Sequence, residues 1–156
     1  MRKSSTYARK RAKQQRIDHR GTIYKVMTGL QPFTQNERTQ LSLPVRLAFN
    51  AMLDGTANEN DYHTLAIIAN VCMIVAEPLG DEALDVIFDA QDACMNILAR
   101  HQRTGKWGMS AKDRDDLYPI LDMHDEVIAL WTPIQLQNAL KTIQQRIGQG
   151  LTLTFS

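Results

Sequence analysis

The run Tyr62-His63-Thr64-Leu65-Ala66-Ile67-Ile68-Ala69-Asn70-Val71-Cys72-Met73-Ile74-Val75-Ala76 decides the fold. From Leu65 to Ala76 only Asn70 is polar, so a helix through this run is apolar on nearly every face and has to be surrounded by other elements. The run is shorter than the roughly 18 apolar residues that a bilayer span takes, which leaves protein as its solvent. The expectation is an all-α fold, a single-domain antiparallel bundle of about five helices around this central apolar helix.

Working outward, Asn58 with Asp61, or Thr56 with Glu59, caps the start of the central helix, and Pro78 and Gly80 stop it. Upstream, Thr34-Gln35-Asn36-Glu37 has the capping-box pattern, and Leu41, Val45, Ala48, Phe49, Met52 and Leu53 form one face that ends at Gly55. Pro44 within that face predicts either a kink or a start nearer Leu43. Ile23, Val26, Met27 and Leu30 keep helical spacing and predict a short docking helix over 21–29.

Downstream, Asp81, Glu82 and Asp85 put negative charge in the first turn of a new helix, where its dipole favours it. Leu84, Ile87, Phe88, Gln91, Cys94, Met95 and Leu98 read as its buried stripe, with Asp85, Asp89, Asp92 and Asn96 opposite. Gly105 ends it, and Trp107 anchors the loop that follows. Ser110 to Asp113 opens another helix, with Leu117, Ile120, Leu121, His124, Ile128 and Trp131 inward and Pro119 as a second threatened kink. Thr132-Pro133-Ile134-Gln135 is the strongest start signal in the chain, and Leu136, Leu140, Ile143 and Ile147 define the last helix to Gly148. With connections this short, sequential helices are expected to be antiparallel neighbours. The chain divides into an arm (1–20), a helical body (21–148) and a tail (149–156). Leu151 to Phe155 alternates like a strand with no second strand to meet it, which leaves either a packed or disordered tail or pairing with another chain, a homodimer included.

The net charge of +1 hides an asymmetry. Residues 1–20 hold Arg2, Lys3, Arg9, Lys10, Arg11, Lys13, Arg16 and Arg20 against Asp18 alone, while the remainder carries ten cations and sixteen carboxylates. Such an arm lacks apolar periodicity, repels itself and is expected to be flexible. It can neutralise phosphates of DNA or RNA without reading a base, or serve only as a solubilising tail. The row Asp85, Asp89 and Asp92, with Trp107, is the candidate partner-binding set.

Enzyme signatures are missing. Asn60, Leu98 and Leu121 stand three residues before His63, His101 and His124, so the Glu-x-x-His pattern of di-iron bundles is absent. No phosphate loop, nucleophile elbow or zinc spacing occurs, so neither a metal nor a cofactor is expected. His124 reads as a partly buried, hydrogen-bonded bundle histidine. Cys72 and Cys94 read as reduced core thiols of a cytoplasmic protein. Asn70 is expected to hydrogen-bond inside the core.

Arg2-Lys3-Ser4-Ser5-Thr6-Tyr7, Thr28-Gly29-Leu30-Gln31-Pro32, Gly55-Thr56-Ala57, Leu65 to Asn70, Gly105-Lys106-Trp107-Gly108 and Met123-His124-Asp125 span about the whole chain. In this layout the sequence resembles small helical accessory proteins coded by proteobacterial prophages and plasmids. The resemblance implies a mobile-element gene product that binds a host or phage macromolecule, such as an inhibitor of host defence of the anti-CRISPR kind, and it transfers no catalytic residue. The alternative is a nucleic-acid-binding accessory factor that works through the arm.

Overall fold

The computed structural model describes residues 29–150, all-helical apart from connections. Its elements are α1 (Gln35–Asp54), α2 (Glu59–Ala76), α3 (Asp81–Thr104), α4 (Ala111–Leu130) and α5 (Pro133–Gly148), with a 3-10 turn, Glu77–Leu79, between α2 and α3. The basic arm, the docking helix expected before Gly29, and the segment Leu151 to Phe155 lie outside the described residues.

The caps fall where short-range chemistry puts them. Thr34 Oγ1 accepts from the Glu37 amide at 3.3 Å and Glu37 Oε2 accepts from the Thr34 amide at 2.7 Å, so α1 starts at its capping box and is not displaced to Leu43. Helix α1 continues past Pro44, which sits on an exposed face; lacking an N–H, it leaves the Gln40 carbonyl without its usual partner. Pro119 occupies the same kind of exposed position in α4. Asn58, not Thr56, caps α2: its Oδ1 accepts from the amides of Asn60 at 2.8 Å and Asp61 at 3.2 Å. Gly55 and Gly105 close α1 and α3 at φ 73° and 72°, a left-handed conformation that costs glycine little.

Contacts between helices fix the topology. Along α1 the residues Ser42, Arg46 and Phe49 meet Asp125, Asp122 and Tyr118 of α4 in descending order, so these two helices run antiparallel. The short turns at 55–58, 77–80 and 105–110 fold α1 to α4 into an up-down-up-down bundle, with α1 and α3 starting at the same end. Helix α2 packs against all four other helices, and no residue from Leu65 to Ala76 is exposed. Each Leu, Ile or Val so enclosed contributes roughly 1.5–3 kcal/mol of transfer free energy. Counted from Glu59 to Leu79, α2 and its turn reach 21 residues, long and apolar enough by composition to cross a membrane; 56% of its most apolar 18-residue window is instead buried by the bundle.

Two expectations about packing are corrected. The buried side of α3 is Ile87, Ala90, Gln91, Ala93, Cys94 and Ile97, while Phe88 and Met95 are 48% and 54% exposed. The stripe read from the large residues is therefore rotated by roughly 80°, counted at 3.6 residues per turn. Small alanines let α3 approach its neighbours closely, and that close approach pushes the bulky pair outward. Helix α5 also departs from expectation, because its chief packing partner is α2 and not the preceding α4. Arg146 ties its far end to Glu77, with Nη2 to Oε2 at 3.0 Å.

Candidate functional site

The outer face of α3 gathers the strongest surface feature of the body. Asp85, Asp89 and Asp92 stand at i, i+4 and i+7 and are all exposed; Asp81 and Glu82 extend the row into the first turn. Among the described residues none of these five carboxylates has an ion-pair or hydrogen-bond partner. Phe88 and Met95, about two helical turns apart, form an apolar ledge along the edge of the row. The face thus combines exposed carboxylates that form no ion pair with two large apolar side chains, which suits a positively charged amphipathic partner. On its other flank the α4 residue Lys112 is engaged by Asp116, and that carboxylate, with weaker pulls from Asp89 and Asp113, raises the ammonium above its ordinary range.

Trp107 does not join this face. Twelve helical residues, roughly 18 Å, separate Asp92 from the α3–α4 loop. There the indole is sandwiched, with Tyr62 stacked at 5.0 Å between centroids and His101 at 3.7 Å. Arg100 Nη1 donates to the Gly108 carbonyl at 2.8 Å and Nη2 to Asp113 Oδ2 at 2.9 Å, so the loop is held by stacking and by a cation. Burial, with a smaller contribution from Cys94, pushes the Tyr62 hydroxyl up to about 12. Trp107 fastens the loop to the body. The eight arm cations, Arg2 to Arg20, lie outside the described residues.

His124 differs from its expected setting. It is 3% exposed, and its Nδ1 has no hydrogen-bond partner, the nearest carboxylate oxygen being Asp125 Oδ1 at 3.9 Å. Burial depresses its pKa; Asp125 pulls it back in part and Arg46 pushes it down again. Asp125 itself serves α1, accepting from Ser42 and, at 2.6 Å, from Arg46 Nη2. No group of three or more His, Cys, Asp or Glu side chains able to hold a metal ion occurs among the described residues.

The sequence located the carboxylate row but missed Phe88 and Met95 as its companions. The available signal was Ala90 and Ala93, which keep helical register with Ile87, Cys94 and Ile97 and mark a small-residue core side. No family model, curated protein or solved structure matches this chain.

Proposed function

We propose that this chain is a non-enzymatic interaction protein whose α3 face binds a basic macromolecule of the host or of a mobile element. The observation that supports this reading is the exposed row Asp85, Asp89 and Asp92, none of them in an ion pair, beside the exposed Phe88 and Met95. Carboxylates in such an array speed and orient encounter, while the apolar pair supplies buried area once water is expelled. Inhibition of a host defence system, in the manner of an anti-CRISPR protein, is the role that the resemblance to prophage and plasmid accessory proteins adds to the binding chemistry.

The test is capture from the native host with three forms of the chain: wild type, Asp85→Lys/Asp89→Lys/Asp92→Lys, and Phe88→Ala/Met95→Ala. Both variants are expected to lose the same captured partner at least tenfold while keeping the wild-type helical signal. Retention of that partner by both variants overturns the reading.

A second reading draws on the eight cations and single carboxylate of residues 1–20. In it the arm grips phosphate backbones of DNA or RNA, and affinity falls steeply with salt. Deleting residues 1–19 separates the two, since it abolishes a salt-sensitive DNA or RNA shift under the second reading and leaves protein capture intact under the first.

A further inference from the structure

Helices α1, α2 and α5 border a groove of about 280 Å³, walled by Leu41, Ile67, Val71, Leu136 and Leu140, with His124 of α4 at its floor. No Lys, Arg, Asp or Glu lines it. His124 is 3% exposed, yet neither ring nitrogen has a hydrogen-bond partner among the described residues, Nδ1 staying 3.9 Å from Asp125 Oδ1. Buried polar side chains are nearly always hydrogen-bonded, so an unmet imidazole beside a groove asks for a partner. Two acceptors border the same space. The Gln40 carbonyl lacks its helical donor because residue 44 is proline, and Thr64 Oγ1, which donates to the Asn60 carbonyl at 2.9 Å, keeps its own lone pairs.

These features restrict what can sit there. Burial holds the imidazole below its ordinary pKa and so neutral at physiological pH, and with no ionised side chain on the walls a charged molecule would be desolvated without a counter-ion. Water could meet the imidazole but would leave the aliphatic walls wet. A hydroxyl on an apolar body does both tasks, since it donates to one group and accepts from another. As for size, an aliphatic cavity of roughly 150 Å³ holds benzene, so nearly twice that volume takes about a dozen non-hydrogen atoms.

We propose that this groove binds a small, uncharged, largely apolar molecule bearing one hydroxyl, which hydrogen-bonds to His124 while its body lies against Ile67, Leu136 and Leu140. No α3 residue lines the groove, so the proposal stands apart from the reading of the α3 face.

Calorimetric titration of the full-length protein at neutral pH with three probes of one shape tests it: β-naphthol, naphthalene, which lacks the hydroxyl, and β-naphthoate, which is charged. β-Naphthol should bind once per chain and at least tenfold more tightly than either of the others. Ile67→Trp fills the groove from a partly exposed wall position and should weaken β-naphthol at least tenfold. His124→Leu keeps the groove apolar and should bring β-naphthol down to the affinity of naphthalene, with naphthalene itself unchanged. Equal affinities for the three probes, tightest binding of the naphthoate, or no saturable binding would overturn the proposal, and undiminished β-naphthol binding by Ile67→Trp would overturn it by placing the site elsewhere. Should His124→Leu fail to fold, the order of the probes on wild type and the Ile67→Trp variant still decide.

Discussion

Arg100 Nη2 lies 2.9 Å from Asp113 Oδ2, and that carboxylate is 2% exposed while also accepting from the Ser110 amide at 2.9 Å. One side chain therefore caps α4 and receives the cation that holds the α3–α4 loop. Removing the cation leaves a buried carboxylate with its cap alone. Arg100→Met is expected to lower stability by about 2–3 kcal/mol, less than for a fully enclosed pair because the guanidinium is about a third exposed. Burial pushes the Asp113 carboxyl up, yet the Ser110 cap and Arg100 outweigh it and hold it below the usual aspartate range. Its contribution is thus full above the unfolded value near 3.8 and is lost as pH falls through the lowered native value. Denaturant titrations of wild type and Arg100→Met across pH 2–5 check both points.

Gln91 Nε2 donates to Asn70 Oδ1 at 3.3 Å in the middle of the core, with Met73 Sδ at 3.9 Å as a second acceptor. Asn70→Leu leaves the Gln91 amide only the weak Met73 sulfur acceptor and is expected to cost about 1–3 kcal/mol. Adding Gln91→Met removes that donor, so the double variant should recover part of that loss. A double-mutant cycle by chemical denaturation measures the coupling, and simple additivity would contradict it.

His124 makes folding pH-dependent at higher pH than the aspartates do. Its native pKa is lowered, so the folded state resists protonation while the unfolded chain takes up a proton near 6.5. Stability is full above that value and falls as pH drops below it toward the native pKa. His124→Gln removes this slope and leaves the acidic loss due to Asp113 and Asp125. Urea midpoints between pH 5 and 7.5 should decline for wild type and stay flatter for the variant.

Both thiols are inert in the folded protein. Burial pushes Cys72 and Cys94 up to about 12, Asp113 adding to the shift at Cys94, and Cys72 donates weakly to the Ile120 carbonyl at 3.6 Å. Neither should react with iodoacetamide at pH 8 over hours, and both should react within minutes in denaturant. Mass spectrometry of the native sample would refute this by showing a singly modified chain.

Local signals were the legible ones. Thr34 with Glu37, Ser110 with Asp113 and Thr132 with Gln135 act over three residues, and each stands where the sequence places it. The enclosure of α2 was legible too, because twelve positions with one polar residue have no side to show to water. Pairings such as Arg46 with Asp122, or Trp107 between Tyr62 and His101, depend on how helices come together, and sequence spacing carries no trace of them. The rotation of α3 was hidden for another reason. Hydrophobic scales rank Phe88 above Ala90, whereas a tightly packed seam prefers the smaller side chain.

Helix α5 has only Ala139 and Ile143 fully enclosed, and its main foothold is α2. Detaching it forfeits far less than global unfolding does, so this stave comes away first when the protein is stressed. What it uncovers is Ile67 and its neighbours on the greasiest rod of the barrel. Self-association during heating is therefore expected to start from an otherwise native particle with one plank lifted.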